Sequence, residues 1–211
     1  MNAEPVISKA KKKQSPTTDA SRLLTVLNHF YPLDQGVVQY IKKHIVPCTF
    51  RKGKLILKAG ELCNYIYFIN KGAVRGFVRE GQKDITTWIT VEGELVSSIY
   101  SIDTQTPAYE NMQALEECEM LSLSYANLNE LYERFPEFNI VSRKLLQKYY
   151  RDAEGRAFVA RLTNAENKYK HFLLESHHLA NRIPLKYIAS YLGMTLETLS
   201  RIRKKLSSNT K

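Results

Sequence analysis

The period of the apolar positions changes along the chain, and each change marks a different kind of element. An amphipathic segment opening at Ser21, RLLTVLNHFYPLDQGVVQYIKKHI, repeats them at helical spacing. It predicts two helical pieces parted near Pro32, the second carrying Val37, Val38, Tyr40, Ile41 and Ile45. Between 46 and about 124 the runs shorten. Residues 48–50, 54–57, 65–69, 73–79, 84–90, 112–114 and 120–124 read as strands, with turns at Gly53, Gly60, Asn70-Lys71-Gly72, Gly81 and Gly93. Strands this short and evenly spaced predict an antiparallel barrel or jelly roll. From Pro136 the helical period returns for over twenty residues, with Phe138, Val141, Leu145, Tyr149, Ala153, Ala157 and Ala160 in one stripe. Thr163 and Glu166 then stand three apart as a capping box, which predicts a helix running to about Glu175 and a domain boundary near 163.

The last pattern belongs to two short helices that meet at a glycine. Pro184 suits the first turn of a helix, where its missing N–H has no intrahelical partner. Gly193 can take the left-handed geometry of a helix end, and Thr195 can cap the next helix, whose first turn carries Glu197. Ile188, Ala189, Leu192, Met194, Leu199 and Ile202 form the face buried between them. Thr195, Glu197, Thr198, Ser200, Arg201, Arg203, Lys204 and Lys205 are left outside, giving a helix-turn-helix with a basic second helix. Thr195, Glu197, Thr198 and Arg201 can enter a major groove together, where arginine donates twice to guanine and glutamate accepts from the cytosine amino group. Arg203, Lys204 and Lys205 lie nearer the rim and suit phosphates, which set register and affinity without reading sequence. The competing reading makes Glu197 and Arg201 an exposed pair four apart, worth about 0.3–0.5 kcal/mol.

Composition narrows the function classes. The 211 residues fit a domain of about 150 residues with a smaller one attached. They divide into a basic tail at 1–20, too polar to offset its ordering entropy and expected to be mobile, a domain at 21–135, a linking helix at 136–162 and a domain at 163–211. Charge is unevenly spread: residues 1–83 hold fifteen Lys/Arg against five Asp/Glu, 134–211 sixteen against six, and 84–133 ten carboxylates with no Lys or Arg. Positive charge gathered at the C-terminal end is the footprint of nucleic-acid binding. No apolar run approaches the roughly 18 residues of a membrane span and no apolar signal core opens the chain, so a membrane is not an expected partner and the cytoplasm is the expected compartment. Cys48, Cys63 and Cys118 lack paired spacing, and His177 and His178 stand alone, so no metal site is expected. There is no nucleophile–base set or phosphate-binding glycine loop, and a cupin-type enzyme would need strand histidines that 46–124 lacks. The chain is therefore not expected to be an enzyme.

The stretch IPLKYIASYLGMTLETLSRIRKK resembles the helix-turn-helix of the Crp/Fnr family of bacterial transcription regulators, in a branch found in Bacteroidetes-type bacteria. Upstream, Phe50, Gly53, Gly60 and Glu61, followed by YFINKG ending at Gly72, resemble the same family's cyclic-nucleotide-binding fold. The resemblance implies an α+β chain: an N-terminal antiparallel β jelly roll, a long linking helix and a C-terminal helix-turn-helix. It places Glu197 and Arg201 on base-reading positions and Thr195 at the phosphate-facing helix start. It also implies a homodimer joined along the linking helix, with Phe138, Val141, Leu145, Tyr149 and Ala153 in the seam. The partners implied are double-stranded DNA with a palindromic operator, a second copy of the chain and RNA polymerase. Leu196 departs from the pattern, standing where the best-known members carry a base-contacting arginine, so the operator cannot be borrowed from them. The residues after Leu206 are too few for the family's strand-pair wing, which is expected to be reduced or absent.

The same family opens its phosphate cassette with Gly-Glu-Leu, matched by Gly93-Glu94-Leu95, whose glutamate takes the ribose hydroxyl, and closes it with an arginine on the phosphate. Here the closing position falls in Pro107-Ala108-Tyr109-Glu110, without an arginine and with a carboxylate instead. A cyclic phosphate buried there would lose hydration with little Coulomb return. Gly93, Glu94, Leu95, Ala108 and Tyr109 therefore stand as a candidate effector pocket expected to function without cyclic AMP, and no cofactor is expected. The alternative is a cyclic nucleotide-responsive regulator that holds the phosphate with Arg75 or Arg79 from a neighbouring strand.

Overall fold

The computed structural model describes residues 19–208, so nearly all of the predicted basic tail lies outside the described residues. Two amphipathic helices, α1 (Ser21–Phe30) and α2 (Gln35–His44), come first, and Asp34 caps α2 by accepting from the Gly36 amide at 2.6 Å. The strands follow as β1 (Val46–Phe50), β2 (Leu55–Leu57), β3 (Tyr65–Lys71), β4 (Val74–Glu80), β5 (Lys83–Thr90), β6 (Leu95–Val96), β7 (Asn111–Ala114) and β8 (Cys118–Ser124), with helix α3 (Ile99–Thr104) between β6 and β7. They pair antiparallel into two four-stranded sheets, β1-β8-β3-β6 and β2-β7-β4-β5, the jelly roll expected from the strand spacing. The helices α4 (Tyr125–Arg134), α5 (Phe138–Arg161), α6 (Ala165–Ser176), α7 (Leu185–Tyr191) and α8 (Leu196–Ser208) complete the described chain.

Strand alternation distributes side chains between two cores. Ile69, Val96 and Met120 point between the sheets, where they meet Val74, Met112 and Ala114 of the second sheet. Their neighbours Phe68 and Leu121 point the other way, into a core made with α1, α2, α4 and α5. Gly76 pairs opposite Trp88, and the indole lies so close that an added Cβ would sit 2.1 Å from it, so only glycine fits beneath the ring. The pattern did not foretell β6, α3 and α4. A two-residue strand and a six-residue helix are too short to show a period, while α4 packs against β8 and α5.

Two expectations are corrected. The α6 cap is Asn164, not Thr163: its side chain accepts from the Asn167 amide at 3.1 Å, and Glu166 instead pairs with Lys170 at 2.8 Å and Lys205 at 2.7 Å. Asparagine caps as well as threonine, so neighbouring candidates compete. Of the stripe expected in a subunit seam, Phe138, Val141, Leu145 and Tyr149 pack on the chain's own domain, while Ala153 stays exposed. Phe138, Val141 and Leu145 are no more than 8% exposed within the core shared with α1, α2 and α4, and Tyr149 packs at its border. The side of α5 that is left open carries Leu146, Tyr150, Ala153, Ala157 and Phe158.

Candidate functional site

The α7–α8 turn is built as its sequence implies. The Gly193 amide donates to Ser190 O at 3.1 Å and the Met194 amide to Ala189 O at 3.0 Å, with Gly193 at φ 64°, so the last carbonyls of α7 are satisfied by a left-handed glycine. Thr195 caps α8, its hydroxyl accepting from the Thr198 amide at 3.2 Å. Ile188, Ala189, Leu192, Leu199 and Ile202 close the interface, with Met194 at its edge. The opposite face of α8 presents Leu196, Glu197, Ser200, Arg201 and Lys204 to solvent. Glu197 and Arg201 form no ion pair: among the described residues the Arg201 guanidinium reaches only Thr198 Oγ1, at 3.5 Å. Hydrogen bonds from its own amide and from Thr195 hold the Glu197 carboxyl below its usual pKa, so it stays an acceptor.

The basic residues farther along α8 divide. Lys204 is free at the surface, whereas Arg203 turns back to donate to Ala180 O at 2.7 Å and Asn181 Oδ1 at 3.0 Å, and Lys205 pairs with Glu166. Of the cations expected at the rim, Arg203 therefore fastens α8 to the loop ahead of α7. Leu196, 42% exposed, sets an apolar side chain in the middle of this polar face.

In the barrel, the five candidate pocket residues do not converge. Glu94 faces α5, where its Oε2 accepts from Lys148 Nζ and the Tyr149 hydroxyl, both at 3.0 Å, while that hydroxyl accepts from the Leu95 amide at 2.9 Å. Gly93 pairs through its backbone with Ile69, and Ala108 is buried between Gly60 and Glu61, bonded through both its N and O. Tyr109 points outward, its ring 5.2 Å from that of Tyr100. Beside them Glu110 is buried and accepts from Trp88 Nε1 at 2.9 Å. Arg75, the alternative phosphate ligand, is on the far face of the sheet and fully engaged. It donates to Gln113, Thr86 and Asp84, and its guanidinium lies between the Phe77 and Tyr187 rings, at 4.0 and 4.1 Å. Arg79 also donates to Asp84. An apolar cavity of about 70 Å³ lies elsewhere, among α1, α2, α4, α5 and the first sheet.

Burial pushes the Glu110 carboxyl above its ordinary 4.5, and the Trp88 hydrogen bond only partly offsets it. The folded state thus binds the proton more tightly than the unfolded chain, so stability falls as pH rises from about 4.5 through the folded value. Glu110→Gln keeps an acceptor for Trp88 and is expected to raise the melting temperature by a few degrees at neutral pH. Thermal unfolding across pH should show the difference vanishing in acid; a variant less stable than wild type at pH 7 would contradict this account.

A jelly roll joined through a 24-residue helix to a helix-turn-helix defines a two-part architecture. Residues 47–135 match the cyclic nucleotide-binding domain family. The fumarate and nitrate reduction regulatory protein of Yersinia pestis is 26% identical across 72% of this chain, and the matched part spans 65% of that protein's length. FixK2 from Bradyrhizobium japonicum superposes with a TM-score of 0.69 at 21% identity, covering 79% of this chain and 86% of that one. A transcriptional regulator of Eubacterium rectale assigned to the Crp/Fnr family gives 0.67 at 14% identity, covering 86% and 88%. The chain is similar to regulators of the Crp/Fnr family and shares their fold. No helix among the described residues is long and apolar enough to cross a membrane.

Proposed function

We propose that the protein is a homodimeric, sequence-specific DNA-binding transcription regulator that acts without cyclic AMP. The observation that carries this reading is the open face of α8, where Glu197, Ser200, Arg201 and Lys204 stand exposed on a helix held outward by its partner. Arg201 suits guanine, Glu197 the cytosine amino group and Lys204 a phosphate, while Leu196 offers the thymine methyl an apolar contact. The regulatory name of the Yersinia relative supports the same role. A two-fold dimer would set two such helices about 34 Å apart on one face of a duplex, matching a palindromic operator. The open stripe of α5 supplies the surface for it, and RNA polymerase is the partner through which a bound regulator acts. Independence from cyclic AMP rests on the barrel chemistry, where a buried carboxylate, Glu110, stands in the region that a phosphate would need as cationic and Glu94 is tied to α5.

The test is anisotropy of the full chain on promoter fragments of its own genome across a salt series, without added nucleotide, beside calorimetry with cyclic AMP and cyclic GMP. Tight binding to a few fragments with no nucleotide heat is expected. Equal affinity for scrambled duplexes would sink the DNA reading, and micromolar heat would sink the nucleotide-independent one.

A further inference from the structure

The helix-turn-helix does not hang freely from α5. Arg182, in the loop before α7, forks between two carboxylates of the barrel: it donates to both oxygens of Glu92 at 2.6 and 2.8 Å and both oxygens of Glu116 at 2.7 and 2.9 Å. Glu92 is braced in turn by the Gly72 amide at 2.6 Å. In the last turn of α7, Ser190 sits on the edge strand β5. Its hydroxyl donates to Asp84 O at 3.0 Å and accepts from the Thr86 amide at 2.9 Å, taking the place of a ladder partner on an otherwise open edge. Between these points Tyr187 covers the buried Arg75 guanidinium. Ala73 and Leu115 of the barrel and Val159 of α5 join the apolar cluster of the helix-turn-helix, so both halves share one core. The open face of α8 stays clear of all these contacts.

We propose that Arg182 and Ser190 are positioning residues for operator reading: they latch α7 to the barrel and so fix the angle and separation at which a dimer presents its two α8 helices. The inference rests on the DNA-binding dimer proposed above. A bidentate guanidinium fork fixes orientation as well as distance, which a single charge does not. Orientation fixed before binding need not be lost on binding, so the latch favours affinity for a two-half-site operator and should leave contacts within one half-site unchanged. Glu92 is held down to about 2, chiefly by Arg182, so the fork stays charged throughout the neutral range.

The experiment uses the full chain and duplexes selected from a random library by the wild-type protein, with one to five base pairs then inserted between the half-sites. Wild type is expected to prefer one spacing sharply. Arg182→Ala combined with Ser190→Ala is expected to lose about tenfold at that spacing, to bind the altered spacings more nearly equally, and to keep its affinity for an isolated half-site. Glu92→Gln with Glu116→Gln, which spares the helix-turn-helix sequence, should behave alike, and Arg182→Lys should restore part of the preference. Loss of fold alone would lower half-site binding too and would not broaden the spacing profile. A variant with unchanged spacing preference, or with raised affinity at the optimal spacing, overturns the latch as a positioning device. A wild-type protein indifferent to spacing instead sinks the dimer reading beneath it.

Discussion

Leu146→Glu combined with Tyr150→Glu is expected to leave a folded monomer that has lost about a hundredfold or more in operator affinity. Both side chains lie on the open side of α5, 53% and 71% exposed, and with Ala153 and Ala157 they recur at spacings of four and three, the pattern of a helix seam. Tethering two reading heads makes the second contact intramolecular, an advantage of about 10²–10⁴ that a monomer forfeits. Sedimentation velocity reads the assembly and anisotropy the affinity. The control is Leu145→Ala, one residue away on the buried face, which should cost about 2–5 kcal/mol of stability by leaving a cavity in the core with α1 and α2. If the double glutamate variant remained a dimer with unchanged affinity, the subunit seam would have to be sought elsewhere.

Arg201→Ala carries the next largest effect. Its guanidinium is exposed and among the described residues makes only a long contact with Thr198, so removal leaves no buried group unpaired and stability should be unchanged. A bidentate arginine–guanine contact discriminates by about 1–3 kcal/mol, so the variant should lose roughly 5- to 150-fold on its operator and much of its preference over a single-base mutant at the contacted pair. Lys204→Ala should instead weaken all duplexes alike and flatten the salt dependence by about one ion. Competition binding at several salt concentrations separates the two patterns. An Arg201→Ala protein that kept both affinity and discrimination would remove the base-reading role.

Legibility in the sequence followed the range of the interactions. Gly193, Thr195 and the apolar set from Ile188 to Ile202 specify the turn within a few residues of one another, and the structure forms it through contacts three to five residues apart. The strands between 46 and 124 were legible for a similar reason, since alternation and glycine turns are written locally. Arg203, by contrast, looks like a free rim cation until Ala180 and Asn181, more than twenty residues earlier, come into reach. Arg75 looks available to a phosphate until Tyr187 and Asp84 enclose it.

By itself the sequence determined the two-part plan: a jelly roll, a long helix and a helix-turn-helix whose second helix is cationic, because periodicity and caps depend on neighbours along the chain. Only the tertiary structure decided which partner each face meets. A stripe on α5 reports that Phe138, Val141 and Leu145 want burial, yet not whether a second subunit or α1 and α2 provide it. Likewise Arg182 and Ser190 gave no local signal, because the carboxylates and strand edge that engage them lie 66 to 106 residues away, at a distance along the chain that no periodicity spans.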